Sequence, residues 1–200
     1  VFSISFYLIL IAIFTTQIIY HYIINQTVSN LAGKKQVLSN AQLTNYYLIQ
    51  TAGVFRVLQD AITQRFTASE LGMFYLSPQI YAVLTSPIFV NLNKANQDLL
   101  VSTDTLSQNN REQIFASDVK MYFNYFDSSD QTYASLTNFE GTNQIVEAGL
   151  GLLARTQENL TSSLDDFGYI YRSTLNDLLL KNNMISSFFY DFFLTVVKKI

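Results

Sequence analysis

The sequence predicts an all-α protein in which a transmembrane helix precedes an antiparallel four-helix-bundle extracytoplasmic domain. Three observations support this fold class. Residues 1–24 carry no charged side chain, and the chain has only two prolines in 200 residues. Apolar residues also recur at the alternating three- and four-residue steps of packed helices. Because proline interrupts helices, its scarcity favours long helices over a protein of strands and turns.

The first element is the predicted membrane anchor, Val1–Ile24. At about 1.5 Å per residue, a helix of this length is roughly 36 Å long, which is enough to cross a bilayer. Its apolar stretch is too long for the h-region of a cleaved signal peptide, so we expect it to be retained. The single histidine, His21, lies between two tyrosines. This arrangement indicates an aromatic belt at the membrane interface rather than a metal site.

Residues 25–183 are expected to form the helical bundle. The seven-residue repeat of Ala41, Leu48, Phe55 and Ile62 predicts a core-facing helix between Val28 and Phe66. A turn region is predicted at 67–87, where both prolines lie, and a second helical stretch at 88–126. Predicted turns at 127–130 and 140–143 precede a long last helix. Its apolar seam consists of Leu153, Leu160, Leu164, Phe167, Tyr171, Leu178 and Ile185.

A second apolar run, Met184–Val197, follows this seam. It is shorter than the about twenty residues that a membrane span needs, and Asp191 interrupts it. We expect residues 184–200 to be the start of a second membrane segment, with Lys198 and Lys199 on the cytoplasmic side. The predicted organisation is an anchor at 1–24, a sensor domain at 25–183 and this segment, all within a longer protein.

The composition argues against several classes of function. With 12 basic and 15 acidic residues and a net charge of −3, the chain offers no basic face for nucleic acid. The absence of cysteine removes thiolate nucleophiles and thiolate metal ligands. Asp165 and Asp166 would point about 100° apart on a helix, so we do not expect them to share a pocket. We therefore expect no enzyme activity, metal or cofactor in this segment, and one candidate glycosylation site at Asn159.

A polar segment rich in small residues, which we call the juxtamembrane motif, follows the anchor at Asn30–Ser39 and reads N-L-A-G-K-K-Q-V-L-S. It resembles the signature I-N-x-A-G-R-Q-R-M-L-S-Q-R of nitrate/nitrite-sensor and pilus-chemoreceptor input domains. Five residues match directly, and Lys34 keeps the charge of an arginine; the matches are Asn30, Ala32, Gly33, Leu38 and Ser39. The resemblance implies a dimeric four-helix bundle that signals to a kinase, cyclase or chemotaxis output beyond Ile200.

The motif has two interpretations, ligand binding and helix crossing. The resemblance implies ligand contacts by Asn30, Lys34, Lys35, Gln36 and Ser39. Alternatively, the small residues Ala32 and Gly33 let two helices cross closely near the membrane. The arginine that clamps the anion in nitrate sensors corresponds to Gln36, and a later arginine corresponds to Ala41. Because glutamine offers an oxyanion neither a charge nor a fork of donors, nitrate is not the expected ligand.

The leading functional prediction is an extracytoplasmic sensory module of a transmembrane receptor. Such a module would contact membrane lipid, form a homodimer through the bundle and respond to a small-molecule ligand. The alternative is a non-sensory helical subunit or scaffold of a membrane assembly, in which the juxtamembrane motif only packs helices.

Overall fold

The computed structural model describes residues 2–63, 78–122, 133–155 and 164–198. Within these ranges it describes the side chains from residue 14 onward, except those of residues 61, 78–84 and 164. Over these residues the protein is mostly helical, in agreement with the predicted all-α class. The helices and strands are α1 (Phe2–Ile62), α2 (Pro78–Ser102), α3 (Gln108–Ile114), β1 (Val119–Tyr122), β2 (Tyr133–Leu136), α4 (Asn138–Leu153), α5 (Leu164–Ser173) and α6 (Leu179–Val197). The predicted turn at 127–130 lies outside the described residues.

The predicted anchor forms the first part of α1, a helix of 61 residues. Residue 1 and the side chains of residues 2–13 lie outside the described set. In the part of the chain that the structure describes, none of the helices has a stretch both long and apolar enough to cross a membrane.

The second half of α1 buries the predicted seam. Ala41, Leu48 and Phe55 are each 1% exposed or less, and Ile62 is half-buried. These positions lie on one face because residues seven apart differ by only about 20° around a helix. The predicted core-facing helix is therefore confirmed over this region.

Helix α1 runs antiparallel to α6. The Ser186 hydroxyl donates to the Ala41 carbonyl over 3.3 Å, and Asn45 Nδ2 donates to Asn183 Oδ1 over 3.0 Å. Nearer the predicted anchor, Lys34 Nζ lies 4.9 Å from the ring centre of Phe192. Residue numbers therefore rise along α1 as they fall along α6. The C-terminal part of α6 lies beside the part of α1 that follows the predicted anchor.

Helices α2 and α4 form a second antiparallel pair. Asn96 Nδ2 donates to Asn143 Oδ1 over 2.9 Å, and the ring of Phe89 lies against Gly149 at the other end of the pair. Phe89 also packs edge-on against Phe55 of α1, with ring centres 5.5 Å apart. The two pairs are therefore joined through a shared apolar core.

Helix α2 differs from its prediction at both ends. Pro78 begins the helix, as suits a residue without an N–H and with a fixed φ, and Pro87 lies inside it, so the prediction of a turn up to residue 87 is wrong from Pro78 onward. The helix ends at Ser102, in a run of hydroxyl residues that compete for backbone carbonyls. For example, the Ser102 hydroxyl donates to Asp98 O and the Thr103 hydroxyl to Leu100 O, each over 2.7 Å.

The predicted helix 88–126 is also replaced by a short sheet near its end. After α3, strand β1 pairs antiparallel with β2, with Val119 opposite Leu136. Val119 and Met121 are buried while Lys120 is exposed. This alternation covers too few residues to stand out from a helical pattern in the sequence. The all-α prediction is therefore correct for most of the described chain, but it misses a two-stranded sheet.

Helix α4 begins where the sequence predicted a turn at 140–143. Thr137 caps its first turn and accepts from Glu140 N, while the Glu140 carboxylate accepts from Thr137 N over 2.9 Å. This reciprocal capping box accounts for the start of the helix. Hydrogen bonds from the backbone and side chain of Thr137 lower the pKa of Glu140 below its ordinary value. Because folding lowers the pKa of Glu140, the stabilisation of the folded state by these hydrogen bonds is present at neutral pH. It is lost as the pH falls and the carboxylate becomes protonated.

The predicted long last helix is divided into three parts. Helix α4 ends at Leu153, α5 begins at Leu164, and a kink at Asn176, within the segment Thr174–Leu178, separates α5 from α6. Of the predicted seam, Phe167, Leu178 and Ile185 are buried, whereas Leu160 lies outside the described residues. The heptad spacing therefore identified these three buried residues, whereas Leu153 and Tyr171 are half-buried, and it did not reveal the interruptions.

The second apolar run forms most of α6. Ile185 and Phe189 are buried in a core cluster with Ala41, Leu99 and Phe139. Phe188 and Phe192 pack against the same cluster and are half-buried. The first part of the predicted second membrane segment thus packs on the rest of the fold, and its assignment to the membrane stays a prediction.

Candidate functional site

A polar cavity of about 220 Å³ lies between α1 and α2, and we call it the α1–α2 pocket. It is smaller than the roughly 300 Å³ at which pockets for drug-sized ligands begin, so it suits a small molecule or ion. Both helices supply side chains to its wall, namely Gln36, Asn40, Leu43, Tyr47, Asn91, Lys94, Ala95 and Asp98.

The α1 side of the pocket presents two amides held in a fixed arrangement. Gln36 Nε2 donates to Asn40 Oδ1 over 3.0 Å, as residues four apart on one helix face can do. Asn40 is only 8% exposed, and its backbone carbonyl accepts from the Thr44 hydroxyl. The Gln36 amide is exposed and is therefore the part of this pair that a ligand can reach.

The α2 side of the pocket contributes one positive and one negative charge. Asn91, Lys94 and Asp98 follow one another at three- and four-residue steps, so they share a helix face. Lys94 is exposed and forms no ion pair with any described residue. A pocket with several amides and balanced charge suits a small polar molecule that has both donors and acceptors better than a bare oxyanion.

The structure brings only one of the five predicted ligand-binding residues to this pocket. Gln36 lines it, whereas Asn30, Lys34, Lys35 and Ser39 do not. Asn30 and Lys35 are exposed, Ser39 is half-buried, and Lys34 contacts the ring of Phe192. The ligand-binding role of all five residues stays a prediction.

Within the part of the chain that the structure describes, the small residues of the juxtamembrane motif approach no other helix. Ala32 is exposed, and a Cβ atom added at Gly33 would meet none of the described atoms within 4 Å. The helix-crossing role of Ala32 and Gly33 stays a prediction. The glycosylation site predicted at Asn159 lies outside the described residues.

A second pocket, of about 430 Å³, lies between α4 and α5 and contains both adjacent aspartates. The expectation that Asp165 and Asp166 would not share a pocket is wrong, because both border this open depression. Asp166 Oδ2 forms an ion pair with Arg155 Nη1 at 2.6 Å. The Tyr169 hydroxyl donates to Gln144 Oε1 there, and burial raises the pKa of Tyr169 to about 12, so this tyrosine stays protonated at physiological pH.

Sequence reasoning missed most of the α1–α2 pocket. Asn40 and Tyr47 lie four and eleven residues after Gln36, on the same helix face, and this spacing is a usable signal. The α2 residues have the same periodicity, but the sequence does not show which helix they face. Among the described residues, no cluster of three or more His, Asp or Glu side chains could hold a metal ion.

Comparison with protein-family models, with curated proteins and with solved structures found no match to this chain. The resemblance of the juxtamembrane motif to nitrate sensors and pilus chemoreceptors therefore stays a prediction that depends on the motif alone.

Proposed function

We propose that this chain is the extracytoplasmic sensory module of a transmembrane receptor, built as an antiparallel four-helix bundle from α1, α2, α4 and the α5–α6 segment. The antiparallel contact between α1 and α6 is the observation that carries the proposal. It brings the C-terminal helix back beside the residues that follow the predicted anchor, near Lys34 and Phe192. A bundle whose first and last helices meet at one end can pass a displacement to both membrane connections.

The α1–α2 pocket is the proposed ligand site of this module. Its walls belong to two different helices, so a ligand that fits one packing of α1 on α2 better than another would shift the population between them. Gln36 and Lys94 face the ligand from opposite walls. The proposed ligand is a small polar molecule.

A homodimer through α1 is the proposed assembly. The face of α1 opposite the core exposes the large apolar residues Leu43, Tyr46, Ile49 and Val57, and their exposed fractions range from 38% to 53%. A scaffold subunit of a larger membrane assembly would use the same face. The α1–α2 pocket, which lies on the neighbouring face of α1, favours the sensory module over the scaffold subunit.

Cysteine labelling tests the proposed topology, since the chain has no native cysteine. In spheroplasts that carry the chain with its anchor, we expect a membrane-impermeant maleimide to label Gln113→Cys, because residue 113 is exposed. The matched control is Ile114→Cys, whose side chain is 0% exposed and should react only after denaturation. Labelling of Gln113→Cys only in disrupted spheroplasts would contradict the extracytoplasmic placement.

Restoring the arginine of the motif tests whether the α1–α2 pocket corresponds to the anion site of the sensors that the motif resembles. We expect Gln36→Arg to gain nitrate binding, because a guanidinium offers a charged fork of donors across the pocket from Lys94. At a tenfold excess of nitrate over its Kd, the melting temperature of the variant should rise by about 3–6 °C, and that of the wild type should not change.

The control is Lys35→Arg, which adds a guanidinium next to the pocket but not in its wall. Equal nitrate effects in Gln36→Arg and Lys35→Arg would show that the pocket does not determine binding. A Gln36→Arg variant that does not respond to nitrate would show that the α1–α2 pocket does not correspond to that anion site.

A further inference from the structure

The buried apolar side chains of the described residues form two separate clusters along the packed helices. The cluster nearer the predicted anchor, which we call the anchor-proximal cluster, includes Ala41, Leu99, Phe139, Ile185 and Phe189. The other, which we call the distal cluster, includes Leu48, Phe55, Leu92, Ile170 and Leu178. Among the described residues, the anchor-proximal cluster has seven buried members and the distal cluster thirteen. Less apolar surface is therefore buried in the half of the fold beside the predicted anchor.

Polar side chains lie between the two clusters on each of the helices that both clusters share. On α1, on α2 and at the start of α6, members of the two clusters are seven residues apart, at Ala41 and Leu48, Leu92 and Leu99, and Leu178 and Ile185. Polar residues that are at most 2% exposed occupy these intervals and the first turns of α4. We call them the polar layer, and they are Thr44, Asn96, Asn138, Thr142 and Asn182.

Side-chain hydrogen bonds at the level of this layer join the helices to one another. Between α2 and α4, Asn96 Nδ2 donates to Asn143 Oδ1 over 2.9 Å. Between α4 and α6, the amides of Asn138 and Asn182 exchange hydrogen bonds at 3.3 and 2.8 Å. Between α6 and α1, Asn45 donates to an amide oxygen of α6 over 3.0 Å. The two clusters are thus separated by hydrogen-bonded polar groups rather than by apolar packing.

The α1–α2 pocket lies at the same level, on the side of the fold where α1 faces α2. Its α1 wall includes Asn40 and Tyr47, which lie on either side of Thr44 in the sequence. Its α2 wall includes Asn91 and Asp98, which lie on either side of Asn96. A ligand in this pocket would contact both helices at the boundary between the two clusters.

The polar layer weakens the cohesion between the two clusters. A continuous apolar core gains about 25 cal/mol for each Å² that it removes from water, whereas a buried hydrogen bond largely replaces one that the same groups make with water. In addition, Asn96 Oδ1 is buried without a hydrogen-bond partner among the described residues, which is unfavourable. Opening one cluster therefore leaves the apolar contacts of the other intact.

We propose that the polar layer divides the fold into two units, and that the anchor-proximal unit opens while the distal unit stays packed. In this opening, α1 and α6 separate near Ala41 and Phe189, and the helices themselves stay folded. The separation occurs next to both predicted membrane connections. It supplies the displacement that a receptor module transmits, and in this respect it rests on the proposed function.

Thiol labelling at two buried alanine positions tests the division in the purified full chain in detergent micelles. Ala41 and Ala52 are each 1% exposed, and they share a face of α1 because eleven residues are close to three helical turns. Ala41→Cys reports on the anchor-proximal unit, and Ala52→Cys, between Leu48 and Phe55, reports on the distal unit. Relative to the unfolded chain, we expect Ala41→Cys to react with a thiol reagent about tenfold faster or more, because its unit opens at a lower free energy. Equal rates, or a faster reaction at Ala52→Cys, would overturn the proposal.

Two isoleucine-to-valine variants distinguish two units from one. Ile170 and Ile185 are both 0% exposed, and they belong to the distal and the anchor-proximal cluster respectively. Ile170→Val eases complete unfolding but not the opening of the anchor-proximal unit. It should therefore raise the rate at Ala52→Cys about threefold or more and change that at Ala41→Cys by less than about twofold. Ile185→Val, the matched control, should raise both rates by the same factor, because both openings disrupt its contacts. A ratio of the two rates that neither variant changes would show a single unit and overturn the division.

Replacing the Asn138–Asn182 pair with leucines tests the role of the layer. Both amides are at most 1% exposed, and replacing both partners by apolar side chains of similar shape leaves neither one unpaired. Because apolar contacts then join the two clusters, we expect the rate at Ala41→Cys to fall about threefold or more relative to that at Ala52→Cys. An unchanged ratio would show that the layer does not cause the division.

If the double leucine variant does not fold, the urea dependence of the two labelling rates decides the outcome. Opening one unit exposes less surface than complete unfolding, so the rate at Ala41→Cys should rise less steeply with urea than that at Ala52→Cys. Equal slopes would overturn the proposal. Because these measurements use neither spheroplasts nor nitrate, the division of the fold and the proposed receptor function can fail independently of each other.

Discussion

Replacing Phe55 with alanine is expected to lower the free energy of unfolding by about 3–5 kcal/mol. The Phe55 ring is 1% exposed and contacts two other helices. Its centre lies 5.5 Å from that of Phe89 on α2 and 5.7 Å from that of Phe167 on α5. Alanine would leave a cavity where three helices meet, and rigid neighbours close such a cavity only in part.

Urea unfolding followed by tyrosine fluorescence measures this loss, since the chain has thirteen tyrosines and no tryptophan. Val90→Ala is the matched control, because Val90 follows Phe89 on α2, is 62% exposed and lies outside the proposed dimer face. Its effect should stay within about 0.5 kcal/mol. A loss of less than about 1 kcal/mol for Phe55→Ala would mean that the three helices do not share this core.

Gly149→Ala should destabilise the fold by about 1–3 kcal/mol. A Cβ atom at position 149 would lie 2.6 Å from Phe89 Cζ and 2.9 Å from Cδ1, and closer still to Cε1. The ring cannot move away easily, because it is 0% exposed and packed against Phe55. The methyl group therefore forces α4 and α2 apart.

Gly151→Ala, two residues further along α4, is the control for helix propensity. A Cβ atom there meets none of the described atoms within 4 Å, so alanine should stabilise the helix by roughly 0.5–1 kcal/mol. The two substitutions should have opposite effects on the urea midpoint. Equal effects would show that α2 and α4 do not approach each other at Gly149.

The predictable part of the fold is the part where local pattern and burial agree. The seven-residue repeat in α1 correctly identified Ala41, Leu48 and Phe55 as core residues. Residues seven apart share one face of a helix, and an apolar face packs against the core. The element boundaries were less predictable. Pro87 remains inside α2, and tertiary packing around Phe89 outweighs the backbone hydrogen bond that proline cannot make.

The candidate site was predictable only in part. Gln36 was identified through the resemblance of the juxtamembrane motif, and it does line a pocket. Lys94 and Asp98 carry no signal in the sequence that connects them with Gln36, since 58 residues separate Gln36 from Lys94. Such a pairing depends on which helices become neighbours, and polar spacing along one helix does not encode this.

By itself, the sequence determined the helical class, the apolar faces of α1 and α6 and the charge-free character of residues 1–24, because all of these follow from side-chain type and period. Only the tertiary structure decided the antiparallel arrangement of the helices, the α1–α2 pocket and the kink at Asn176 between α5 and α6. The contacts of α6 with Asp118 and Asn138 pair a buried ammonium and a buried amide. The sequence did not show these contacts, because they depend on which distant residues become neighbours.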